Sequence, residues 1–375
     1  MNRVLQTFRC ICGLAWVFLV VQESSIGATF EVGPDKPYKT VRDAAKGSSP
    51  GDTIVVDPGV YSGPVQLQPQ CTLRGAGRGR TVLIPYPFGP GDCPLYGSRE
   101  TLVQGLWLCG GWYAGAHGSA WFPSRLEDCV IWGNGAGVRC SGPGNHTFLT
   151  NCVIFGNEEG LVCGPGAHAT LLNTIVYGNT RSFGGEVANI SASYSCVEGG
   201  WPGEGNISAD PLFARPEQCN MSALLDSPET YSPWPDFRLR ADSPCIDAGF
   251  NSPDLPEFDI AGMHRIMFGG KSLTVDMGAY EFYINKLQPV PGTNEAIFTW
   301  SSLADKTYSI FCTEDLFTWH VAIDNFPSSG NQTTSWLDDG SLTGVPPSLA
   351  PRRFYRVLEN PQQRTNRGER GERRD

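Results

Sequence analysis

Charge is scarce in this 375-residue chain, where only 18% of residues are Asp, Glu, Lys or Arg. Between Thr101 and Gly200 there is no Lys, and the only Arg are Arg125, Arg139 and Arg181. The balance is acidic, with 38 Asp and Glu against 28 Lys and Arg. Such a chain offers no basic footprint for nucleic-acid phosphates, and it disfavours a polyanionic polysaccharide unless cations bridge the two. No Cys-x-x-Cys and no His-x-x-x-His occurs, so the common metal-ligand spacings are missing. Beyond Val21 no apolar stretch is long enough to cross a bilayer.

The first 28 residues read as a secretory leader. Arg3 and Arg9 precede an apolar run from Ile11 to Val21, and Ser24-Ser25-Ile26-Gly27-Ala28 supplies small residues for cleavage. The run is short for a membrane span, so export to the medium or the cell surface is expected, with no transmembrane segment after cleavage. Of the 13 Cys, two lie in this leader. The remaining odd number leaves at least one thiol unpaired within a monomer.

The chain is rich in a repeat. Leu126-Glu-Asp-Cys-Val-Ile-Trp-Gly-Asn134, Leu149-Thr-Asn-Cys-Val-Ile-Phe-Gly-Asn157 and Leu171-Leu-Asn-Thr-Ile-Val-Tyr-Gly-Asn179 align without gaps, their starts 23 and 22 residues apart. A weaker copy begins at Leu102, and the links Gly137-Val-Arg-Cys140 and Gly160-Leu-Val-Cys163 repeat as well. Such a period marks a solenoid, whose units bury their apolar faces only by stacking. Gly-Asn and Gly-Pro-Gly interrupt every run before three helical turns can form, so each unit is a coil of short strands. The expected fold is all-β, a right-handed parallel β-helix.

This register predicts stacked columns. Val130, Val153 and Ile175 form one, Ile131, Ile154 and Val176 the next, and strand alternation sends one inward and the other outward. Both are apolar, so the outer face is expected to be covered or hydrophobic. Asn134, Asn157 and Asn179 follow a Gly, at a turn where Asn tolerates left-handed backbone and stacked amides form a ladder. Cys129 lies over Cys152 and Cys140 over Cys163, at a separation a disulfide spans. The first pair is expected as free buried thiols, because Thr174 continues its column without sulfur.

Tyr38 to Ala45 has a short helical pattern with Thr40 as N-cap, and Ser49 to Tyr61 reads as a strand between turns. This opening resembles that of pectin-lyase-like β-helix proteins, in which a helix plugs the first coil. After the repeats come Tyr194–Glu198, Gly205–Phe213, Asp236–Gly249, Asp259–Gly262, Arg265 and Val275–Phe282. Their order resembles the C-terminal half of bacterial surface β-helix proteins known as the choice-of-anchor Q family. The resemblance spans roughly residues 29–283 and implies an architecture, not an activity. Residues 284–360 carry short alternating strands (Ala296–Trp300, Lys306–Phe311, Thr334–Trp336, Arg353–Val357) that predict a small β-sandwich. With the turn Thr313-Glu-Asp-Leu-Phe-Thr-Trp319 it resembles the immunoglobulin-like modules of the same surface proteins. The tail 361–375 holds five Arg and is expected to be disordered.

For chemistry, the column Trp132, Phe155, Tyr177, continued by Leu108, is the expected glycan-binding strip, because aromatic rings one strand spacing apart suit stacking on sugars. Core packing or cover by a loop is the competing explanation. Trp112, Tyr113 and Trp121, in the link before it, either cover or extend that strip. A β-helix hydrolase needs two carboxyls in one groove, and the Asn-x-Asp, Asp-Asp and Gly-His-Gly signatures of polygalacturonases are missing from the repeats. Glu158-Glu159 with Arg139 one coil away is the best catalytic guess, but no catalytic residue is assigned. Asp128 reads as a ladder variant in the column of Asn151 and Asn173. His146 and His168 are stacked but not assigned to a metal. Asp247, Asp259, Asp276 and Glu281 read as turn and cap bonding, with a structural calcium ion as the alternative, and no other cofactor is implied. A non-catalytic glycan-binding, adhesive or structural module is therefore favoured over a polysaccharide lyase or glycoside hydrolase, with a polysaccharide or cell-surface glycan as the partner.

Overall fold

A computed structural model describes residues 27–75, 80–85, 93–118, 124–217, 220, 223–224, 231–330, 332–350 and 352–360. The expected leader as far as Ile26, Trp121, Cys219 and the tail 361–375 lie outside the described residues.

The glycine-punctuated runs fold as a parallel β-helix with three sheets, of eight, seven and six strands. The first sheet is built from strands such as Ser124–Glu127, His146–Thr150 and His168–Leu172. Val130–Trp132, Val153–Phe155 and Ile175–Tyr177 belong to the second, and Ala114–Gly118, Ala136–Cys140, Glu159–Cys163 and Arg181–Gly185 to the third. Each strand pairs in parallel with its equivalent one coil away, as in Val130↔Val153↔Ile175 and Ile131↔Ile154↔Val176. At the N-terminal end the helix Val41–Gly47 buries Val41, Ala44 and Ala45 in the solenoid core. Thr40 caps it, its hydroxyl accepting from the Asp43 amide at 3.1 Å.

The inward column of the second sheet is Ile131, Ile154 and Val176, which pack with Leu108, Leu149 and Leu171 inside the coil. Its outward residues Val130, Trp132, Val153, Phe155 and Ile175 are buried as well, because described residues between Ile207 and Phe282 pack over them. Phe213, Phe237, Leu239, Cys245, Ile246 and Met277 supply this cover. The apolar outer column expected from the sequence is thus explained by a second core.

Asn134, Asn157 and Asn179 form the ladder. Asn134 Nδ2 donates to Asn157 Oδ1 at 3.0 Å and Asn157 Nδ2 to Asn179 Oδ1 at 2.9 Å. The same carbonyls accept from the backbone amides of Asn134 and Asn157, each at 2.9 Å. The expected backbone is corrected here: the left-handed residues are the preceding Gly133, Gly156 and Gly178, each at φ 67°. Left-handed non-glycine residues occupy a different corner, at Asp128, Asn151 and Asn173 (φ 53°, 51° and 52°), where a second ladder runs. Because Asn157 satisfies two buried donors of Asn134, Asn157→Leu should cost about 2 kcal/mol or more. Chemical unfolding of the variant checks this, and unchanged stability would count against the ladder.

Two three-stranded antiparallel sheets follow from Asn285 to Glu359. They enclose Phe298, Trp300, Tyr308, Ile310, Cys312, Ala322 and Trp336 as one core. The junction with the cover includes a hydrogen bond from Ser301 Oγ to the Phe268 carbonyl at 2.9 Å.

Candidate ligand-binding face

The expected aromatic strip is in register but not open. Trp132, Phe155 and Tyr177 are successive Cα partners. Trp132 is 0% exposed and Phe155 6%, whereas Tyr177 is half-buried. Trp132 donates its indole N–H to the Glu217 carbonyl at 2.9 Å and packs against Tyr231 and Trp234 of the cover. Phe155 meets Phe213 and Phe237. At Trp132 and Phe155 the strip is a core column, with no ring face free for a sugar. The register of its head is also corrected: Cys109 stands before Trp132, and Leu108 stands before Ile131 inside the coil.

The acidic residues near the end of the solenoid are engaged in internal bonding. Asp259 accepts from the amides of Ala261, Met263 and Glu281. Asp276 accepts from those of Asp247 and Phe282, and Asp247 from Gly269, Lys271 and Ser272. Glu281 pairs with Arg265, which also reaches Asp128. Burial pushes the Asp276 carboxyl up to about 7 and raises Glu281 and Asp259 as well. Among the described residues no three His, Cys, Asp or Glu side chains converge as a metal site. His146 and His168 are stacked Cα partners with ring centroids 5.9 Å apart, but His146 hydrogen-bonds Thr170 Oγ1 at 2.8 Å and stacks on Phe148.

The outer face of the third sheet gathers a different set. Tyr96, His117, Arg139, Val162 and Gly184 are consecutive Cα partners and make one outward column. In the flanking column Ala136, Glu159 and Arg181 align. Glu159 lies between two guanidinium groups, 2.9 Å from Arg181 and 3.9 Å from Arg139. Room for its carboxylate comes from Gly184, where a Cβ would stand 2.3 Å from Glu159 Oε1. Arg139 rests on the Tyr113 ring at 4.6 Å, and Tyr113 meets the edge of His117 at 5.3 Å. Trp112, next to Tyr113, is 68% exposed.

The electrostatics of this face are uneven. Burial, with the nearby Arg139 cation adding to it, holds the His117 imidazole below its ordinary value, so His117 is neutral near pH 7. His117 Nε2 lies 3.3 Å from Ser141 Oγ. Arg139 is a half-buried cation that makes no hydrogen bond among the described residues, and its Nε is buried without a partner. Glu159 is held by two cations, and Glu158 beside it is exposed in the turn before the strand. This is not the pair of free carboxyls that hydrolysis requires. What the face offers is a set of planar donors beside aromatic rings.

The expected residues are thus divided. Glu159 and Arg139 come together, as do Tyr113 and Arg139, while Trp132 and Phe155 lie on another sheet under the cover. Tyr96, His117 and Arg181 were not singled out from the sequence. A signal for His117 was present: Ala114-Gly-Ala-His-Gly118 parallels Ala136-Gly-Val-Arg-Cys140. Compared with known proteins, the chain matches no family model and no curated protein.

Proposed function

We propose that this protein is an exported or cell-surface module that binds glycans without cleaving them, on the outer face of its third sheet. The carrying observation is Arg139, a half-buried guanidinium 4.6 Å from the Tyr113 ring and only 3.9 Å from its nearest carboxylate, Glu159, with the exposed Trp112 ring close by in sequence. Aromatic rings stack on the apolar faces of sugars, and a planar guanidinium fork suits a carboxylate or the hydroxyl pairs of a ring. An acidic sugar is the best match, since its carboxylate takes both donors of the fork. The net charge of −10 opposes long polyanions, so short acidic oligosaccharides are the favoured ligands. The leader, the resemblance to pectin-lyase-like and choice-of-anchor Q surface proteins, and that of the C-terminal sandwich to immunoglobulin-like modules support the same reading.

A glycan array followed by calorimetry on the best ligand tests it. Trp112→Ala should weaken binding about fivefold, and Arg139→Ala about tenfold or more. Both should leave the melting temperature nearly unchanged, because neither ring nor fork is part of a core. Arg139→Lys should recover only part of the affinity. Absence of binding to any glycan, or equal affinity in both alanine variants, overturns the proposal. Release of reducing or unsaturated ends by the wild type would replace it with an enzymatic one.

A further inference from the structure

We propose that Cys140 and Cys163 are a disulfide site, joining two successive coils when the chain folds in a thiol-oxidising environment. The two residues are Cα partners at the ends of neighbouring parallel strands of the third sheet. Adjacent strands lie about 4.8 Å apart, inside the Cα separations that disulfides span. Their sulfurs already stand 3.7 Å from each other. Both side chains point into the solenoid and are 0% exposed, so they meet inside the coil rather than across solvent. The column they share runs Gly118, Cys140, Cys163, Gly185. With glycine on either side, each sulfur has only the other as a side-chain neighbour along the column.

The other stacked pair differs. Cys129 and Cys152 donate to the carbonyls of Glu127 and Thr150 at 3.2 and 3.3 Å, and Thr174 caps their column by accepting from the Cys152 amide. The Cys140 and Cys163 thiols also reach backbone carbonyls, those of Val162 at 3.4 Å and Ala167 at 3.1 Å, so what sets this pair apart is its column, flanked by Gly118 and Gly185 where the other is continued by Thr174. The hydrogen bond from Cys140 holds the Cys163 thiol below the usual range in the folded coil.

The chemistry needs a low-molecular-weight disulfide such as oxidised glutathione. The Cys163 thiolate attacks one glutathione sulfur, the S–S bond breaks, and the departing thiolate takes up the proton Cys163 has lost. Cys140 then loses its proton and attacks Cys163 Sγ in the mixed disulfide, releasing a second reduced glutathione. Two protein thiols are oxidised and one glutathione disulfide is reduced. Because the folded pair is buried, the exchange proceeds while the chain folds or when the coil opens locally.

The test is to refold the full chain in a glutathione redox buffer, block free thiols in denaturant, and map peptides without reduction. The expected result is a Cys140–Cys163 linked peptide, lighter by two hydrogens than the sum of its parts. The oxidised protein should melt several degrees above the reduced one, and Cys163→Ser should abolish both the linked peptide and that redox dependence. Correctly folded wild type with both cysteines blocked as free thiols overturns the proposal, and so does either cysteine joined to a different partner. Should Cys163→Ser not fold, the wild-type map decides alone.

Discussion

Arg265→Met should destabilise the protein by about 3–5 kcal/mol, the cost of removing one partner from a buried ion pair. Arg265 is 1% exposed and sits where the cover meets the solenoid. It donates to Glu281 Oε1 at 3.0 Å, to the Gly278 and Ala279 carbonyls at 3.1 and 3.0 Å, and to Asp128. Asp128 belongs to the second ladder of the coils, whereas the other three acceptors belong to the closing segment. One side chain therefore fastens the two together. Methionine preserves most of the volume but leaves Asp128 and Glu281 buried without their cation. Burial already raises the Glu281 carboxyl, and loss of the guanidinium raises it further. An acid whose pKa is higher folded than unfolded adds stability below its unfolded value, and that stability is lost as pH rises through the folded one. The deficit relative to wild type should accordingly be smaller near pH 5 than near pH 8. Denaturant titrations at both pH values read this, with Asp128→Asn/Arg265→Met recovering part of the loss. A variant as stable as wild type at pH 8 would show that the pair is no fastening.

What could be read in the sequence was what stacking imposes. A solenoid repeats its residues because equivalent positions lie one strand apart, so the ladder asparagines, the Val130 and Ile131 columns and the stacked cysteines were all visible as identities. The weak first copy was not. Leu102 looks like Leu126, yet the strand register pairs Val103 with Leu126 and Leu102 with Arg125. A slip of one residue turns every side chain to the opposite face, so the sequence alignment sets Leu108 beside Trp132 although it pairs with Ile131 inside the coil. Local glycine chemistry was also ambiguous: Gly-Asn marks a turn, but either residue can take the left-handed backbone, and here the glycine does.

The proposed binding face is harder to see for a physical reason. His117, Arg139 and Glu159 are separated by about one coil each, and the outward residues of a solenoid are free to differ. The repeat marks their positions, through the Ala-Gly frame shared by Ala114–Gly118 and Ala136–Cys140, but not their chemistry. The covered face produced the opposite effect, since its outward column is as apolar as an inward one and so resembles an aromatic platform. Only the packing of cover residues such as Phe213, Phe237 and Met277, from a stretch that carries no repeat of the 22–23-residue kind, decides between platform and core.

Trp132→Ala separates the two faces by experiment. The ring is 0% exposed, donates its N–H to the Glu217 carbonyl, and stands within 6.5 Å, centroid to centroid, of Trp107, Tyr231 and Trp234. Its removal deletes a large part of the second core and leaves a cavity, at a cost of about 3–5 kcal/mol. The cover should loosen first, because Tyr231 and Trp234 both lose a contact with the coil while the inward columns stay packed. Protection of the amides of the strands Phe213–Arg215 and Asp236–Leu239 against hydrogen exchange should therefore fall before that of the solenoid strands. Glycan affinity per folded molecule should be unchanged, since the third sheet faces elsewhere. Trp112→Ala is the mirror experiment, with stability kept and binding lost. If Trp132→Ala instead lost binding at unchanged melting temperature, the cover would have to open in solution, and the strip of Trp132, Phe155 and Tyr177 would regain its place as the glycan site.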